Sequence, residues 1–483
     1  MGIVFKQTSW NILTISIAIL IGGVNTLYFY PEFLKDNYYG LVVFLLATSN
    51  LLQPLMSFGA QHTIIKFFSS FNDKKKKDQF LSSVIFLPLF FIIPITFLVV
   101  QFHDLIAQFL SVKNPIIESY IWVIFLVSFA TSYFEVFYSW SRVQFKSIFG
   151  NVLKEIYPRI SVLLLLILVS VDVLSKEDFV WWLTGFYYLR LILMIAYSFY
   201  LYMPKFSIVV PENYKEILSY SFYILLAGSA ASFLIDIDKY MIPQKEAISQ
   251  TAYYAVAVFI ATVVEIPGRA MFQILNPLVA KSLNDQNYSE LKSLYKKSSE
   301  NLLLVSGLFF LLINLNIDSF YLLLNNQYYS NASLVVLIIS SAKLIQMSFG
   351  CGPAILATST FYRITLPFSI SMAISVYLLN DYLIDLYGIN GAAISTFIVL
   401  LLFTVLKIFY IMFKINIQPY NLNSLKIIFS IFIVFFISYF VEIDTNPLIE
   451  IIIRSVGIVI IYSIMIYFLG ISQKLKDLLN LKF

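Results

Sequence analysis

"YYGLVVFLLATSNLLQPLM", residues 38–56, contains no charged side chain. As an α-helix it is long enough to cross the hydrocarbon core of a bilayer, which takes about 20 mostly apolar residues. Similar runs recur along the 483-residue chain, which is 60% hydrophobic, 17% aromatic and only 12% charged. Soluble domains do not have this composition. The sequence therefore predicts an all-α integral membrane protein.

About fourteen spans are predicted along the chain. Their approximate positions are 10–29, 40–60, 80–101, 116–140, 158–173, 178–202, 215–237, 251–275, 299–317, 328–349, 354–379, 387–413, 424–441 and 448–471. With the N-terminus inside, 24 of the 32 lysine and arginine residues fall in cytoplasmic segments, among them the run 74–77, Lys343 and Lys407. Basic residues are retained on the cytoplasmic side, so we expect both termini to be cytoplasmic.

An internal repeat indicates how the spans are grouped. "YYGLVVF" (38–44) opens the second predicted span and "YYAVAVF" (253–259) opens the eighth, so the two copies are six spans apart. An even number of spans leaves both copies in the same orientation, as in transporters whose halves rock about a central site. We therefore predict a six-helix lobe in 1–205, a second in 206–415 related by a pseudo-twofold, and two additional helices in 416–483.

Several function classes are not indicated by the sequence. It contains neither a phosphate-binding Gly-rich loop nor a Gly-x-Ser-x-Gly elbow, and its loops are too short for a catalytic domain. The triplet 236–238 spells the Asp-x-Asp of many sugar transferases, but it closes an apolar span. The single cysteine and the two distant histidines indicate no disulfide and no metal site. We expect no enzymatic activity, no cofactor and no nucleic-acid partner, with the net charge of +5 facing lipid headgroups.

Four stretches resemble a known family. They are "YPEFLKDNYYGLVVFLLATSNLLQPLMSFGAQHTIIKFF" (30–68), "SFLIDIDKYMI" (232–242), "AYYAVAVFIATVVEIPGRAMFQILNPLVAK" (252–281) and "YGINGAAIST" (387–396). In this order they resemble helices of the Wzx-like polysaccharide biosynthesis and oligosaccharide flippases, a branch of the multidrug/oligosaccharidyl-lipid/polysaccharide (MOP) exporter superfamily. The resemblance implies two six-helix lobes plus two C-terminal helices, with a central cavity lined mainly by helices one, two, seven and eight.

The resemblance also implies an activity and partners. Members of this family flip an undecaprenyl-diphosphate-linked oligosaccharide, a unit of O-antigen, capsule or exopolysaccharide, across the inner membrane by alternating access. Polysaccharide polymerases and glycosyltransferases of the same pathway are the implied protein partners. A carrier for such a substrate must supply polar groups inside the membrane, because desolvating charges and hydroxyls is costly.

The strongest candidate site lies in the eighth predicted span, where "EIPGR" (265–269) places a carboxylate and a guanidinium one helical turn apart. We predict that Arg269 binds the diphosphate, because arginine presents a planar fork of donors to phosphate oxygens. Glu265 is predicted to couple transport to H⁺ or Na⁺, or to restrain Arg269 when the cavity is empty. Pro267 is predicted to kink the helix. The alternative is an ion pair that satisfies itself at a helix contact.

Other polar residues in the spans are weaker candidates. Asn25, Asn50 and Gln53 suit binding of sugar hydroxyls, but such residues also join helices inside bundles. Asp238 is a candidate for ion coupling, with pairing to Lys239 or simple solvation as alternatives. Arg190, in the sixth span, is predicted to form a structural bridge with Glu135 of the fourth.

Two other functions stay open from the sequence. A small-molecule/cation antiporter of the same fold would have about twelve spans and a mainly acidic cavity. A membrane-embedded polysaccharide polymerase would need a long outer loop with catalytic residues, which the sequence does not contain.

Overall fold

The computed structural model of the chain describes residues 2–71, 73–206, 213–324, 327–441, 443 and 445–470, and these residues form helices and no strand. The chain divides into two compact units, Met1–Ala252 and Tyr253–Phe483. The lobe boundaries predicted at 205/206 and 415/416 stay predictions.

The N-terminal unit contains eleven helices within its described residues. They are α1 Gly2–Val24, α2 Lys35–Ser57, α3 Ala60–Phe67, α4 Lys74–Phe86, α5 Leu89–Gln101, α6 His103–Ser111, α7 Ile121–Val143, α8 Ser147–Ser170, α9 Lys176–Leu201, α10 Tyr214–Lys245 and α11 Ile248–Ala261, which begins in this unit and belongs to the second unit from Tyr253 on. A π-helical segment, Asn25–Leu34, joins α1 to α2, and 3₁₀ turns lie at Phe68–Ser70 and Pro115–Tyr120.

The first two predicted spans form one helical segment, Leu13–Ser57, of 45 residues. At about 1.5 Å per residue this segment is more than twice as long as the hydrocarbon core is thick, so it is long enough for two crossings. The helix is interrupted between them, because Pro31 lies in the π-helical segment and Lys35 has a φ of 59°.

Small polar residues hold α2 against α7. Ser128 donates to the backbone oxygen of Ser49 at 2.7 Å, Ser49 donates to that of Ile124 at 3.0 Å, and Ser132 donates to that of Gln53 at 3.1 Å. Serines at a helix contact let two backbones approach closely and supply hydrogen bonds inside the membrane. This contact fixes the orientation of the α2 face that carries the predicted site residues.

The C-terminal unit contains nine further helices within its described residues. They are α12 Ile266–Asn284, α13 Tyr288–Asn314, α14 Ile317–Leu323, α15 Ser333–Ser348, α16 Gly352–Thr358, α17 Thr365–Tyr387, α18 Ile389–Ile415, α19 Leu422–Tyr439 and α20 Pro447–Phe468. Short 3₁₀ segments lie at Thr262–Glu265, Gln327–Ala332 and Tyr362–Ile364. Buried apolar residues of α13, α19 and α20 form one cluster, which includes Leu311, Ile431 and Tyr462.

In the described part of the chain, ten helices are long and apolar enough to cross a membrane, or up to twelve if each of two bent helix pairs is one span. The predicted all-α multi-pass membrane protein is confirmed, whereas the count of fourteen is not. One of the ten is the long segment Leu13–Ser57 that covers two predicted spans. Helix α8 is not among the ten, since Lys154, Glu155 and Arg159 lower its apolar character.

The eleventh predicted span, 354–379, has the wrong bounds. Helix α16 ends at Thr358, and α17 runs from Thr365 to Tyr387 after a 3₁₀ turn. The sequence between the two helices, Ser359 to Ile364, contains three polar or charged side chains, which end the apolar run. This shift places Thr365 and Ser369 in the first turns of α17.

Candidate functional site

The "EIPGR" stretch interrupts the eighth predicted span. Helix α11 ends at Ala261, a 3₁₀ segment runs from Thr262 to Glu265, and α12 begins at Ile266 with Pro267 in its first turn. Pro267 has no backbone N–H, and the α-helix changes to 3₁₀ in the residues directly before it, within the helical span Ile248–Arg269. The kink at Pro267 stays a prediction. The change of helix type positions the Glu265 side chain.

Glu265 binds two cationic side chains. Lys343 Nζ of α15 lies 2.6 Å from Oε1, and Arg269 Nη2 lies 3.5 Å from Oε2. The Glu265 and Lys343 side chains are 18% and 21% exposed, whereas that of Arg269 is 53% exposed. The predicted contact between Glu265 and Arg269 is therefore present, but the closer and more buried partner of the carboxylate is Lys343.

Gly268, near the start of α12, lies next to the Met347 side chain of α15. A Cβ atom at Gly268 would lie 2.4 Å from Sδ of Met347, which real Cβ atoms do not do. Met347 follows Lys343 by one helical turn on α15. The element that packs against α15 is the 3₁₀ segment Thr262–Glu265, and this contact brings Lys343 to Glu265.

A cavity of about 360 Å³ adjoins this cluster within the C-terminal unit. It is lined by Glu265, Arg269, Phe272, Gln346, Met347, Phe349, Pro353, Leu356, Thr365, Ser369, Met372, Leu400, Thr404 and Lys407. Three of these side chains are charged, two of them positively, and Lys343 lies behind the carboxylate. The cavity wall therefore combines an excess of positive charge with hydroxyl, amide and aromatic groups, a combination that suits an anionic ligand.

The N-terminal unit contains a second polar cluster, between α2 and α10. Asn50 Nδ2 donates to Asp236 Oδ2 at 3.2 Å, and Lys239 Nζ donates to Asp236 Oδ1 at 2.7 Å. Asp236 is buried, whereas Asn50 is exposed. Asn50 thus joins two helices and is still accessible. Sequence reasoning considered Asp236 only as part of an Asp-x-Asp triplet and missed this role.

Asp238 lies two positions after Asp236 on α10 and is buried at 5% exposure. The solvated alternative for this residue is therefore wrong, and the partner of Lys239 is Asp236. Asp238 makes contacts of its own. Its role in ion coupling stays a prediction.

Asn25 and Gln53 lie in the same unit and are less accessible than Asn50. Asn25 is buried at 2% exposure and donates to the backbone oxygen of Arg159 at 2.8 Å, which links the π-helical segment to α8. Gln53 is half-buried, and its Nε2 is buried without a hydrogen-bond partner among the described residues. Their roles in sugar binding stay predictions, and Asn25 would have to become exposed to fulfil its own.

Arg190 has other partners than the predicted one. Glu135 binds Lys154 at 2.7 Å. The Arg190 guanidinium lies 4.3 Å from the ring centre of Phe134 and 4.7 Å from that of Tyr187, and it donates to Thr131 Oγ1 at 3.3 Å. Aromatic faces stabilise a buried guanidinium through their ring quadrupole. The predicted bridge between Arg190 and Glu135 is therefore wrong, although Arg190 is buried inside the unit.

The comparison with protein families decides the identity of the chain. Residues 4–274 match the family model described as polysaccharide biosynthesis protein. The chain belongs to this family. No curated protein matches the sequence significantly.

Solved structures similar to this polysaccharide biosynthesis protein are flippases and transporters of the MOP type. The lipid II flippase MurJ in an inward closed conformation is 15% identical with a TM-score of 0.70, over 97% of this chain and 99% of its own. An inward-facing multidrug resistance MATE family transporter of the MOP superfamily is 12% identical with a TM-score of 0.61, over 83% and 94%. The MATE multidrug transporter DinF-BH is 15% identical with a TM-score of 0.55, over 86% and 96%. At these identities the likeness shows the fold alone.

Two lysines of this polysaccharide biosynthesis protein lie inside candidate membrane spans. Lys343 and Lys407 were counted with the cytoplasmic segments although the predicted spans 328–349 and 387–413 contain them, and the structure has them within α15 and α18. Each interrupts an apolar run, "VVLIISSAKLIQM" or "VLLLFTVLKIFYIMF". An ionisable residue inside a span is itself a signal of a functional or paired group, and this signal would have identified both residues.

Proposed function

We propose that this chain flips an undecaprenyl-diphosphate-linked oligosaccharide from the cytoplasmic to the outer leaflet of the bacterial inner membrane by alternating access. The observation that carries the proposal is that the two cations at Glu265, Lys343 and Arg269, differ in distance and exposure. Lys343 holds the carboxylate at 2.6 Å, which leaves the half-exposed Arg269 available in the wall of a cavity. A cargo with phosphate oxygens suits a guanidinium in that position.

Membership of a polysaccharide biosynthesis family supports a glycan as the cargo. The similar structure of a lipid II flippase shows that this fold serves in a protein whose name specifies a lipid-linked cargo. The carrier lipid itself has no need of polar partners, since its apolar tail is stable in the bilayer. We therefore assign the diphosphate to Arg269, and sugar hydroxyls to Asn50 with Asn25 and Gln53 as further candidates.

Coupling to an ion is the second part of the proposal. Glu265 makes the cavity wall more positive if it takes up a proton, and its remaining 3.5 Å contact with Arg269 would then weaken further. Asp238 is the other candidate for H⁺ or Na⁺, and it lies in the N-terminal unit. Polysaccharide polymerase and glycosyltransferases of the same pathway are the proposed partners.

The proposal is tested by translocation of a lipid-linked oligosaccharide in liposomes, with the amount of reconstituted protein matched between variants. Arg269→Ala should abolish flipping and Arg269→Lys should impair it, because lysine presents a single hydrated point charge. Glu265→Gln should flip substrate without depending on the ion gradient. Lys281→Ala is the matched control, since Lys281 is an exposed basic residue on the same helix outside the cavity. Wild-type flipping rates in both Arg269→Ala and Glu265→Gln would mean that the ion cluster of "EIPGR" is structural and does not bind the substrate.

The orientation of the chain in the membrane is tested by cysteine labelling. After replacement of the single cysteine, Cys351, by serine, a cysteine placed in 74–77 should be protected from an impermeant thiol reagent in intact cells. Lys74, Lys75 and Lys76 are exposed, so protection there would not result from burial. A cysteine at position 245 should react. Labelling from outside at 74–77 would contradict cytoplasmic termini.

A further inference from the structure

Lys407 is a cation inside a membrane-spanning helix, and no carboxylate of the described residues pairs with it. It lies in α18 and lines the cavity of the C-terminal unit together with Arg269. The polar contact of its Nζ among the described residues is with Sδ of Met372, at 3.5 Å. A thioether sulfur is only a weak acceptor. Lys407 is half-buried, and an ammonium group that is partly removed from water and lacks an oxygen partner costs free energy.

The carboxylate in the cavity wall does not supply the missing partner. One oxygen of Glu265 is held by Lys343 at 2.6 Å and the other is contacted by Arg269 at 3.5 Å. The cavity therefore has more cationic than anionic groups, and Lys407 is the cation in its described lining that no carboxylate neutralises. An anion from outside the chain would offset this charge.

Neutral hydrogen-bonding groups accompany Lys407. Thr404 precedes it by one turn on α18, and Thr365 and Ser369 are spaced by one turn on α17, so each pair lies on one helix face. All three line the same cavity as Lys407 and Arg269. Hydroxyls next to two cations are the groups that bind the oxygens of phosphate or carboxylate.

We propose that Lys407 is a substrate-binding residue, and that with Arg269 it forms an anion subsite in the C-terminal unit for one phosphate or carboxylate group of the cargo. A cavity of about 360 Å³ is at the lower end of ligand sites, which span roughly 300–1,000 Å³. It suits one such group and not a whole oligosaccharide. This inference rests on the proposed function, and it adds a residue that the sequence analysis had assigned to the cytoplasmic side.

The anion has two possible sources, the diphosphate of the carrier lipid or the carboxylate of an acidic sugar. The test uses the full-length protein in phosphatidylcholine nanodiscs, so that lipid anions do not compete, and measures calorimetric binding of farnesyl diphosphate and of glucuronic acid. Lys407→Met should weaken one or both by at least about tenfold and reduce the salt dependence of binding, because one charge-assisted contact is lost. Lys407→Arg should restore binding. The probe that is affected identifies the source.

Lys414→Met is the matched control, because Lys414 is an exposed lysine on the same helix outside the cavity lining. It should bind both probes as the wild type does. Unliganded Lys407→Met should be at least as resistant to thermal unfolding as the wild type, since it removes an unpaired, half-buried charge. If Lys407 had a structural role, Lys407→Met would be less resistant to thermal unfolding than the wild type.

Three results would overturn the inference: no binding of either probe to the wild type, unchanged binding in Lys407→Met, or a less stable Lys407→Met protein. The flippase proposal is judged separately in the liposome assay. Wild-type protein that binds farnesyl diphosphate but moves no lipid-linked oligosaccharide would refute the proposed function and keep the anion subsite. Active flipping by the wild type, together with unchanged probe binding in Lys407→Met, would support the proposed function and refute the anion subsite.

Discussion

The two cations bound to Glu265 should differ in what they do for the protein, and replacing each of them by methionine tests this. Methionine keeps an unbranched apolar side chain of similar length and removes the charge. Lys343→Met leaves the largely buried carboxylate without its nearest partner, whereas Arg269→Met removes a more distant and half-exposed one. We expect the first substitution to reduce stability and the second to leave stability nearly unchanged.

The expected size follows from distance and exposure. At 2.6 Å and an effective dielectric constant of about 20, the attraction between Lys343 and Glu265 is about 6 kcal/mol before desolvation is subtracted. At 3.5 Å and a dielectric constant of about 80, near that of water, the attraction of the exposed Arg269 is about 1 kcal/mol. Removing one partner of a buried pair costs about 3–5 kcal/mol, and that of an exposed pair about 0–1 kcal/mol. Because Lys343 and Glu265 keep some exposure, we expect about 2–3 kcal/mol for Lys343→Met and less than about 1 kcal/mol for Arg269→Met.

The assay is the free energy of unfolding in mixed micelles with increasing denaturing detergent, measured for the wild type and both variants at one ionic strength. The double variant Lys343→Met with Glu265→Gln should regain most of the loss, since it removes both charges of the close pair. Equal losses in the free energy of unfolding in Lys343→Met and Arg269→Met would refute the idea that the two cations have different roles. So would a loss for Arg269→Met that exceeds the loss for Lys343→Met.

Gly40→Ala should lower the free energy of unfolding by at least about 2 kcal/mol, because the new Cβ would lie 2.0 Å from the backbone oxygen of Ile248. Gly185→Ala is the control and should leave the free energy of unfolding nearly unchanged, because no atom lies within 4 Å of its new Cβ. Equal losses in the two variants would contradict the prediction. Desolvation by the surrounding protein lowers the pKa of His62, so the folded protein binds this proton less well than the unfolded chain and loses stability as the pH falls below 6.5. His62→Gln should flatten thermal stability between about pH 7.5 and 5.5, and an unchanged slope would exclude His62 as its cause. Asp236→Leu should lower stability more than the double change with Lys239→Leu does, since the double change leaves no unpaired charge; the reverse order, in the same unfolding assay, would refute this.

Fold class was predictable from the sequence because apolar runs of span length have few alternatives in a chain this hydrophobic. The bounds of individual spans were less so. The α-helix predicted across 251–275 is divided by a 3₁₀ segment, Thr262–Glu265, just before Pro267. A proline cannot donate to the carbonyl four residues earlier, so this change has a local cause, but the residue at which α11 ends does not follow from the apolar run.

The candidate site was predictable in part, for a physical reason that concerns partners. Glu265 and Arg269 are one turn apart, so their contact follows from helix geometry. Lys343 is far from Glu265 in sequence, and only the packing of the 3₁₀ segment Thr262–Glu265 against α15 brings the two together. The same limit applies to Asn50 and Asp236, which are 186 positions apart. Contacts within one helix can be predicted from spacing, whereas contacts between helices require the fold.

The sign of the charge in the C-terminal cavity separates the flippase proposal from the cation antiporter. The folds of both classes are similar to this chain, so the fold does not distinguish them. A site for a cationic compound needs a carboxylate that is free to bind it, and Glu265, the acidic residue in the lining of the described cavity, is already held by Lys343. Arg269 and Lys407 would repel a cation at the same place. We infer that this wall selects anionic cargo, and that a cationic compound could bind there only after at least two of these positive charges had been removed.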